Sequence, residues 1–228
     1  MRMKQFRLWM LVVLLLIPSA ALGAEELAVW QTNIRMYDDL PVGRIFAKVQ
    51  NTGDAPFGMG GATLTVYDGQ DEVLLKKKYV MTSAGPIILA PGEYIYISNT
   101  IMDFDLQGKE PAHANFTIAS TAAAKKRGFL ACETAAELKG AGTYDNFLYI
   151  TFTNTTPAPI DNINVTAALL DENGGILFAD TTTTGPLALH PGSSVTMKIP
   201  VSESIVRLME ARQETAASVD AIVSYIKE

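Results

Sequence analysis

The chain alternates apolar and polar residues over short segments that recur in its two halves. Between positions 44 and 50, Ile45, Ala47 and Val49 alternate with polar residues, and Phe46 is the one apolar exception. The equivalent apolar positions of the second half are Leu148, Ile150 and Phe152. The strand that follows carries Leu64 and Val66 in the first half, and Ala167 and Leu169 in the second. A period of two with one apolar face is typical of a half-buried β-strand.

The residues between these strands repeat as well, at offsets of 103 and then 100 positions. Asn51-Thr52, Ala55-Pro56 and Asp68 recur as Asn154-Thr155, Ala158-Pro159 and Asp171. Gly85-Pro86, Leu89 and Pro91-Gly92 recur as Gly185-Pro186, Leu189 and Pro191-Gly192. The repetition predicts two copies of one β unit.

Turn-forming residues separate the predicted strands. Asp68-Gly69 and Asn173-Gly174-Gly175 offer the positive φ angles that tight hairpins need. Pro91-Gly92 and Pro191-Gly192 suit type II turns, because proline fixes the first central φ and glycine supplies the second. Short strands with a turn about every 8–12 residues predict immunoglobulin-like β-sandwiches, with a small barrel as the alternative.

The predicted organisation is an all-β chain with two tandem sandwich domains. The first domain spans 24–122, a linker spans 123–128 and the second domain spans 129–228. One short helix is predicted in the second domain, with Ser202 as its cap. Its shared face would contain Ile205, Leu208, Met209 and Arg212. No counterpart of this helix is predicted in the first domain.

The first 23 residues have the pattern of a cleavable signal peptide. A basic start is followed by the apolar run Leu8 to Ile17, and Ala21-Leu22-Gly23 predicts cleavage before Ala24. The alternative is an uncleaved anchor, but ten apolar residues are too few for a helix that crosses a hydrocarbon core of about 30 Å. An extracytoplasmic protein, periplasmic or secreted and without a stable membrane anchor, is expected.

Charge narrows the range of partners. The whole chain has 18 basic and 24 acidic residues, a formal net charge of −6. Cleavage would remove Arg2, Lys4 and Arg7 and no acidic residue, which leaves a formal charge of −9. This acidic balance argues against nucleic acid and anionic lipid as partners.

The order of these features resembles the FxLYD-type modules of bacterial and archaeal extracytoplasmic proteins. The segment Leu64-Thr65-Val66-Tyr67-Asp68 keeps the Tyr and Asp of the motif, and Ala167-Ala168-Leu169-Leu170-Asp171 keeps Leu and Asp. The resemblance implies an immunoglobulin-like fold outside the cytoplasm. It implies no catalytic or binding residues.

Catalytic chemistry finds little support in the sequence. The chain has two histidines, His113 and His190, and one cysteine, Cys132, and none falls in a zinc, copper or nucleophile motif. Cys132 lies in an apolar segment, where a buried and inert thiol is expected. We therefore expect no enzyme, no cofactor and no metal site. An enzyme that uses carboxylates alone stays an alternative, although no spacing favours it.

Two acidic hairpins offer the strongest alternative site. They are Asp68-Gly69-Gln70-Asp71-Glu72 and Asp171-Glu172-Asn173-Gly174-Gly175. Calcium could bind carboxylates that converge on such a turn, but aspartate in a β-turn commonly accepts hydrogen bonds from backbone amides, and this interpretation is favoured.

The function that these patterns favour is a non-catalytic exported interaction or structural module that works through protein–protein contacts. Its partner would be another envelope protein or a second copy. The alternative is a protein that binds a small ligand or calcium, at the inter-domain cleft or at the acidic hairpins.

One difference between the copies suggests where a partner could bind. Lys76-Lys77-Lys78 would protect one sheet edge from unwanted pairing, whereas Ala179-Asp180-Thr181 at the equivalent place, followed by Thr182 to Thr184, would leave a second edge open. The alternative is that Thr182 to Thr184 form a polar loop.

Overall fold

The computed structural model describes residues 27–37, 42–80, 86–106, 108–185 and 188–226. The predicted signal peptide and its cleavage before Ala24 lie outside these residues. The described chain is all-β with one short α-helix, which confirms the predicted fold class. The strands of the first half are β1 (Leu27–Met36), β2 (Val42–Asn51), β3 (Phe57–Tyr67), β4 (Val73–Val80), β5 (Ile87–Leu89), β6 (Tyr94–Met102) and β7 (His113–Ser120). The second half contains β8 (Lys125–Leu130), β9 (Cys132–Glu137), β10 (Phe147–Thr153), β11 (Asn164–Leu170), β12 (Ile176–Thr183), β13 (Ser194–Pro200), α1 (Glu203–Ala211) and β14 (Ser218–Ile226).

The two halves pair their strands in the same way. A three-stranded sheet has the order β1-β2-β6 in the first half and β13-β10-β9 in the second. Opposite it, β3 lies between β4 and β7, and β11 lies between β12 and β14. The registers of β2 with β6 and of β10 with β13 agree residue by residue, since Val49 pairs with Ile95 as Phe152 pairs with Val195, whereas β1 contains an irregularity that β9 lacks. The offsets found in the sequence therefore also relate equivalent strand positions in the structure.

One asparagine organises the same corner in each half. Asn51 is fully buried, and its Nδ2 donates to the carbonyl oxygens of Ala55 and Leu89, at 2.8 Å each. Asn154 is equally buried and donates to the carbonyl oxygens of Ala158 and Leu189, also at 2.8 Å. Each asparagine also accepts a backbone amide two residues later on its Oδ1. The repeated Asn, Ala-Pro and Leu of the sequence thus encode one hydrogen-bonded corner.

Replacing Asn154 with alanine is expected to lower the free energy of unfolding by about 2 kcal/mol, because the fully buried side-chain amide makes two hydrogen bonds to carbonyl oxygens and accepts one from the backbone amide of Thr156, and all three are lost. The measurement is chemical denaturation followed by circular dichroism. Thr155→Ala, at an exposed neighbour, is the control and should change stability by less than about 0.5 kcal/mol. Equal effects of the two substitutions would contradict this account.

The predicted linker is a strand. Residues 125–128 belong to β8, which pairs antiparallel with β14 and parallel with β5. Arg127 is buried, and its Nε donates to Ser224 Oγ at 2.9 Å. Its burial lowers its pKa. The prediction of a linker at 123–128 is corrected to a strand for residues 125–128, because pairing with residues that are far away in the sequence leaves no local signal.

The helix prediction is right in its place and in its N-cap residue, Ser202, and differs from the structure at Arg212. The buried residues of α1 are Ile205, Val206, Leu208 and Met209, whereas Arg212 is exposed at the C-terminal end. Ser202 occupies the predicted N-cap position, although its side chain makes no capping hydrogen bond. The first half has a 3₁₀ turn at the corresponding place, Asp103–Leu106. Each helix follows an edge strand of a three-stranded sheet, β6 or β13, and precedes a strand of the opposite sheet, β7 or β14.

Candidate functional site

The outer face of the β1-β2-β6 sheet packs against the second half of the chain. Phe46 and Tyr96 are 0 % and 1 % exposed, and both belong to the same apolar cluster as the core of the second half. The ring of Phe46 meets that of Phe178 on β12 edge to face, with centroids 5.8 Å apart. Phe46, the exception to the alternation, is therefore a contact between the halves.

Polar groups surround this contact. Arg44 Nη2 lies 3.3 Å from Asp180 Oδ2, and its guanidinium lies over the rings of Phe46 and Phe178. On β1, Asn33 Nδ2 donates to the carbonyl oxygen of Ile176 at 2.7 Å. The edge predicted to be open is thus partly covered: among the described strands β12 pairs only with β11, but the first half contacts it. Thr182 and Thr183 belong to β12, so the polar-loop alternative is wrong for them.

A tyrosine pair completes the interface. The hydroxyl groups of Tyr94 and Tyr96 donate to Asp220 Oδ2 at 2.8 and 2.6 Å. Burial, together with the bonds to Asp220, raises the pKa of both tyrosines. Lys48 Nζ lies 3.7 Å from the centroid of the Tyr94 ring. The interface therefore places cations and aromatic rings of the first half against carboxylates of the second.

On the corresponding face of the second half, among the described residues, Glu137 and Lys198 are exposed and Phe147 and Tyr149 are half-buried. We call this face the open aromatic face, and its central residues are Glu137, Phe147, Tyr149 and Lys198. Tyr149 is the structural equivalent of Phe46, since β10 and β13 keep the register of β2 and β6. Lys198 Nζ lies 5.1 and 5.2 Å from the ring centroids of Phe147 and Tyr149. Rows of hydroxyl groups extend the face, as Thr151 and Thr196 oxygens lie 2.8 Å apart.

Hydrogen bonds hold the central residues of the face in place. Tyr149 Oη donates to Glu137 Oε2 at 3.0 Å, and this bond raises the pKa of Tyr149. Lys139 Nζ lies 3.0 Å from Glu137 Oε1, and together with the Tyr149 bond it lowers the pKa of Glu137. The tyrosine is thus neutral and the glutamate charged at neutral pH, so the face combines flat apolar rings with fixed charges of both signs.

A structured loop places another aromatic ring beside this face. Tyr144 is 88 % exposed and lies between β9 and β10. Asn146 is buried, accepts from the backbone amide of Lys139 at 2.6 Å and donates to the carbonyl oxygen of Thr143 at 2.8 Å. Glu210 of α1 accepts from the amide of Ala141 at 2.8 Å. The exposed ring therefore extends from a braced loop.

The acidic hairpins use their first carboxylate for the turn itself. Asp68 Oδ1 accepts the backbone amides of Gln70 and Glu72, both at 2.9 Å, and these bonds lower its pKa. Asp171 Oδ1 accepts those of Asn173 and Gly175, at 2.8 and 2.7 Å. Within the described part of the chain, no group of three or more His, Cys, Asp or Glu side chains is placed to hold a metal ion. The geometry favours the turn interpretation over calcium.

His113, His190 and Cys132 do not lie together in one site. The ring of His113 stacks on Tyr67 with centroids 4.7 Å apart, and its Nε2 lies 3.5 Å from Asp71 Oδ1. His190 is exposed in a turn. Cys132 is half-buried, its Sγ lies 3.4 Å from the carbonyl oxygen of Ala221, and burial raises the pKa of its thiol.

A cleft of about 510 Å³ lies where the predicted inter-domain site would be. Its apolar wall comes from Tyr94, Phe129, Leu130 and Ile222, and the Pro91-Gly92 turn forms its rim. Glu93 is its one charged lining residue. The cleft is a surface depression with few polar groups to orient a ligand.

Sequence reasoning missed the residues of the open aromatic face. A signal was present, because Phe147 and Tyr149 occupy the outward positions on either side of the core residue Leu148. Aromatic residues at outward positions of a strand indicate a face that something covers, as Phe46 shows in the first half.

Comparison with known proteins adds little. No protein family profile matches the chain, and no curated protein matches it. A solved structure to which it is similar is the red sea bream transglutaminase, with 13 % identity and a TM-score of 0.25 over 75 % of this chain and 26 % of that one. The chain thus spans about a quarter of the length of that protein. Among the described residues, no helix is long and apolar enough to cross a membrane.

Proposed function

We propose that this protein is a non-catalytic, exported interaction module of the cell envelope that binds protein partners through the open aromatic face. The observation that carries the proposal is the equivalence of Tyr149 with Phe46: the same sheet face serves as a docking surface in the first half, where Phe46 is fully buried, whereas Tyr149 is only half-buried in the second. Partly accessible tyrosine and phenylalanine with a neighbouring lysine are the side chains that protein interfaces favour.

The arrangement of the face suits protein recognition. Tyrosine and phenylalanine offer a large contact area at a small cost in side-chain entropy, and the bond from Tyr149 to Glu137 fixes the ring in advance. Lys198 and Glu137 add charges that can select a partner of matching pattern. Export would place this face in the compartment where other envelope proteins are available.

Capture of partners tests the proposal. Residues 24–228 are tagged and incubated with a solubilised envelope fraction of the protein's own organism. We expect the double variant Phe147→Ser, Tyr149→Ser to retain less than about a tenth of the partner that the unchanged chain retains, since aromatic residues at the centre of an interface contribute most of its affinity. Val73→Ser, which removes a 57 % exposed apolar side chain elsewhere, is the matched control and should retain the partner.

Equal capture by the double variant and the control would contradict a role for the face. The small-ligand alternative makes a different prediction: a ligand of the cleft should raise the thermal midpoint of the double variant as much as that of the unchanged chain.

A further inference from the structure

The contact between the two halves of the chain is a template for a contact between two separate molecules. It joins the outer face of β1-β2-β6 to the β12-β11-β14 side of the second half. Each partner surface has an equivalent elsewhere in the chain that the described residues leave uncovered. The equivalent of the first surface is the open aromatic face. The equivalent of the second is the outer face of β4-β3-β7, which we call the lysine face.

The lysine face is defined by Thr65, Lys76, Lys78, Asn115 and Thr117. Thr65 pairs with both Lys76 and Asn115; it lies on the strand face opposite the core residues Leu64 and Val66, at the centre of the lysine face, and is itself only 8 % exposed. Lys76, Lys78, Asn115 and Thr117 are exposed. In the second half the register places Ala168, Ala179 and Asp220 at the positions of Thr65, Lys76 and Asn115. Ala168 and Ala179 are buried.

Equivalent surfaces of the two halves carry side chains of opposite charge. Arg44 and Lys48 of β2 correspond to Phe147 and Thr151 of β10. On the neighbouring strand β9, Glu137 pairs with Phe147, and Glu133 pairs with Thr151. On the opposite surface, Asp180 of β12 corresponds to Lys77, which is bound to Asp105, whereas the exposed Lys76 and Lys78 replace Ala179 and Thr181. Within the molecule, Arg44 and Lys48 therefore face Asp180 and Asp220, whereas between molecules Glu133 and Glu137, on the face that also carries Lys198, can lie opposite Lys76 and Lys78.

We infer that the open aromatic face of one copy binds the lysine face of a second copy, head to tail. This inference rests on the proposed function and names the partner as another copy of this chain. Glu133 and Glu137 would meet Lys76 and Lys78, and the rings of Phe147 and Tyr149 would lie on the threonine rows of the partner. The two surfaces differ, so the contact is heterologous and does not close on itself, and the product is a linear chain of copies.

Charge reversal on each surface tests the arrangement. Residues 24–228 are studied by sedimentation velocity over a range of concentrations at low salt, because opposite charges across an interface are screened by added ions. The unchanged chain should form species larger than a dimer. The variants Glu133→Lys, Glu137→Lys and Lys76→Glu, Lys78→Glu should each associate at least tenfold more weakly, and thermal melts should show that both stay folded.

Mixing the two variants gives the decisive result. In a mixture, the aromatic face that carries Glu133→Lys, Glu137→Lys meets the lysine face that carries Lys76→Glu, Lys78→Glu, and the charges are again opposite. The two unchanged faces also have opposite charges, so long chains of alternating variants should form. If Lys76→Glu, Lys78→Glu still dimerises while Glu133→Lys, Glu137→Lys does not, the aromatic faces bind each other symmetrically, and the head-to-tail arrangement is wrong. If the unchanged chain stays monomeric at every concentration, self-assembly is wrong; the proposed function then still stands or falls by the capture experiment.

Discussion

Replacing Phe46 with alanine is expected to lower the free energy of unfolding by about 3–5 kcal/mol, the usual cost of removing a fully buried phenylalanine side chain. Phe46 has no exposed surface, and its ring joins the second-half cluster through Phe178. The substitution weakens the contact between the halves, so the two halves should also unfold less cooperatively. A single denaturation transition of the unchanged protein should broaden or split in the variant.

The matched control is Tyr149→Ala, at the equivalent position of the second half. Its ring lies on the open aromatic face, so we expect a loss of less than about 1 kcal/mol and no change in the shape of the transition. Denaturation in urea, followed by both fluorescence and circular dichroism, gives the two quantities. Similar losses for the two substitutions would mean that Phe46 does not join the halves as its burial indicates.

Local chemistry made much of the fold predictable. Asn51 and Asn154 build identical corners from residues within a few positions of each other and from one strand that follows. Asp68 and Asp171 organise their hairpins through amides two and four residues later. The bonds within a few residues depend on residue type and spacing, which a sequence shows directly, whereas the bonds to Leu89 and Leu189 span 38 and 35 positions.

The contacts between the halves were not predictable in the same way. The small residues followed by Lys125-Lys126-Arg127-Gly128 indicate a linker, and nothing in this local composition reveals that β8 pairs with β14 and β5, which lie far away in the chain. The edge strand β12 was predicted to be open because nothing near it in sequence reveals that β1, β2 and β6 contact it. Phe46 was recognised as an exception to the alternation, but the surface that it meets is defined only by the tertiary structure. The open aromatic face follows from the same comparison of equivalent positions.

Replacing Glu214 with alanine should also be costly, because it removes the partner of a buried cation. Arg35 has no exposed surface, and its Nη1 lies 2.6 Å from Glu214 Oε2, a contact that ties β1 of the first half to the segment after α1. The Nε and Nη2 atoms of Arg35 have no hydrogen-bond partner in the described part of the chain. Without Glu214 the guanidinium would be buried and unpaired.

We expect Glu214→Ala to lower the free energy of unfolding by about 3 kcal/mol, within the range observed when one partner of a buried ion pair is removed. Glu203→Ala is the control, since it removes an ion pair with the exposed Arg207 and should cost less than about 1 kcal/mol. The double variant Arg35→Met, Glu214→Ala separates the two possible origins of the loss. If the unpaired charge is the cause, the apolar side chain should restore most of the stability, measured by the same urea denaturation. If the double variant is as unstable as Glu214→Ala, the ion pair itself stabilises the contact between the halves, and burial of an unpaired charge is not the cause of the loss.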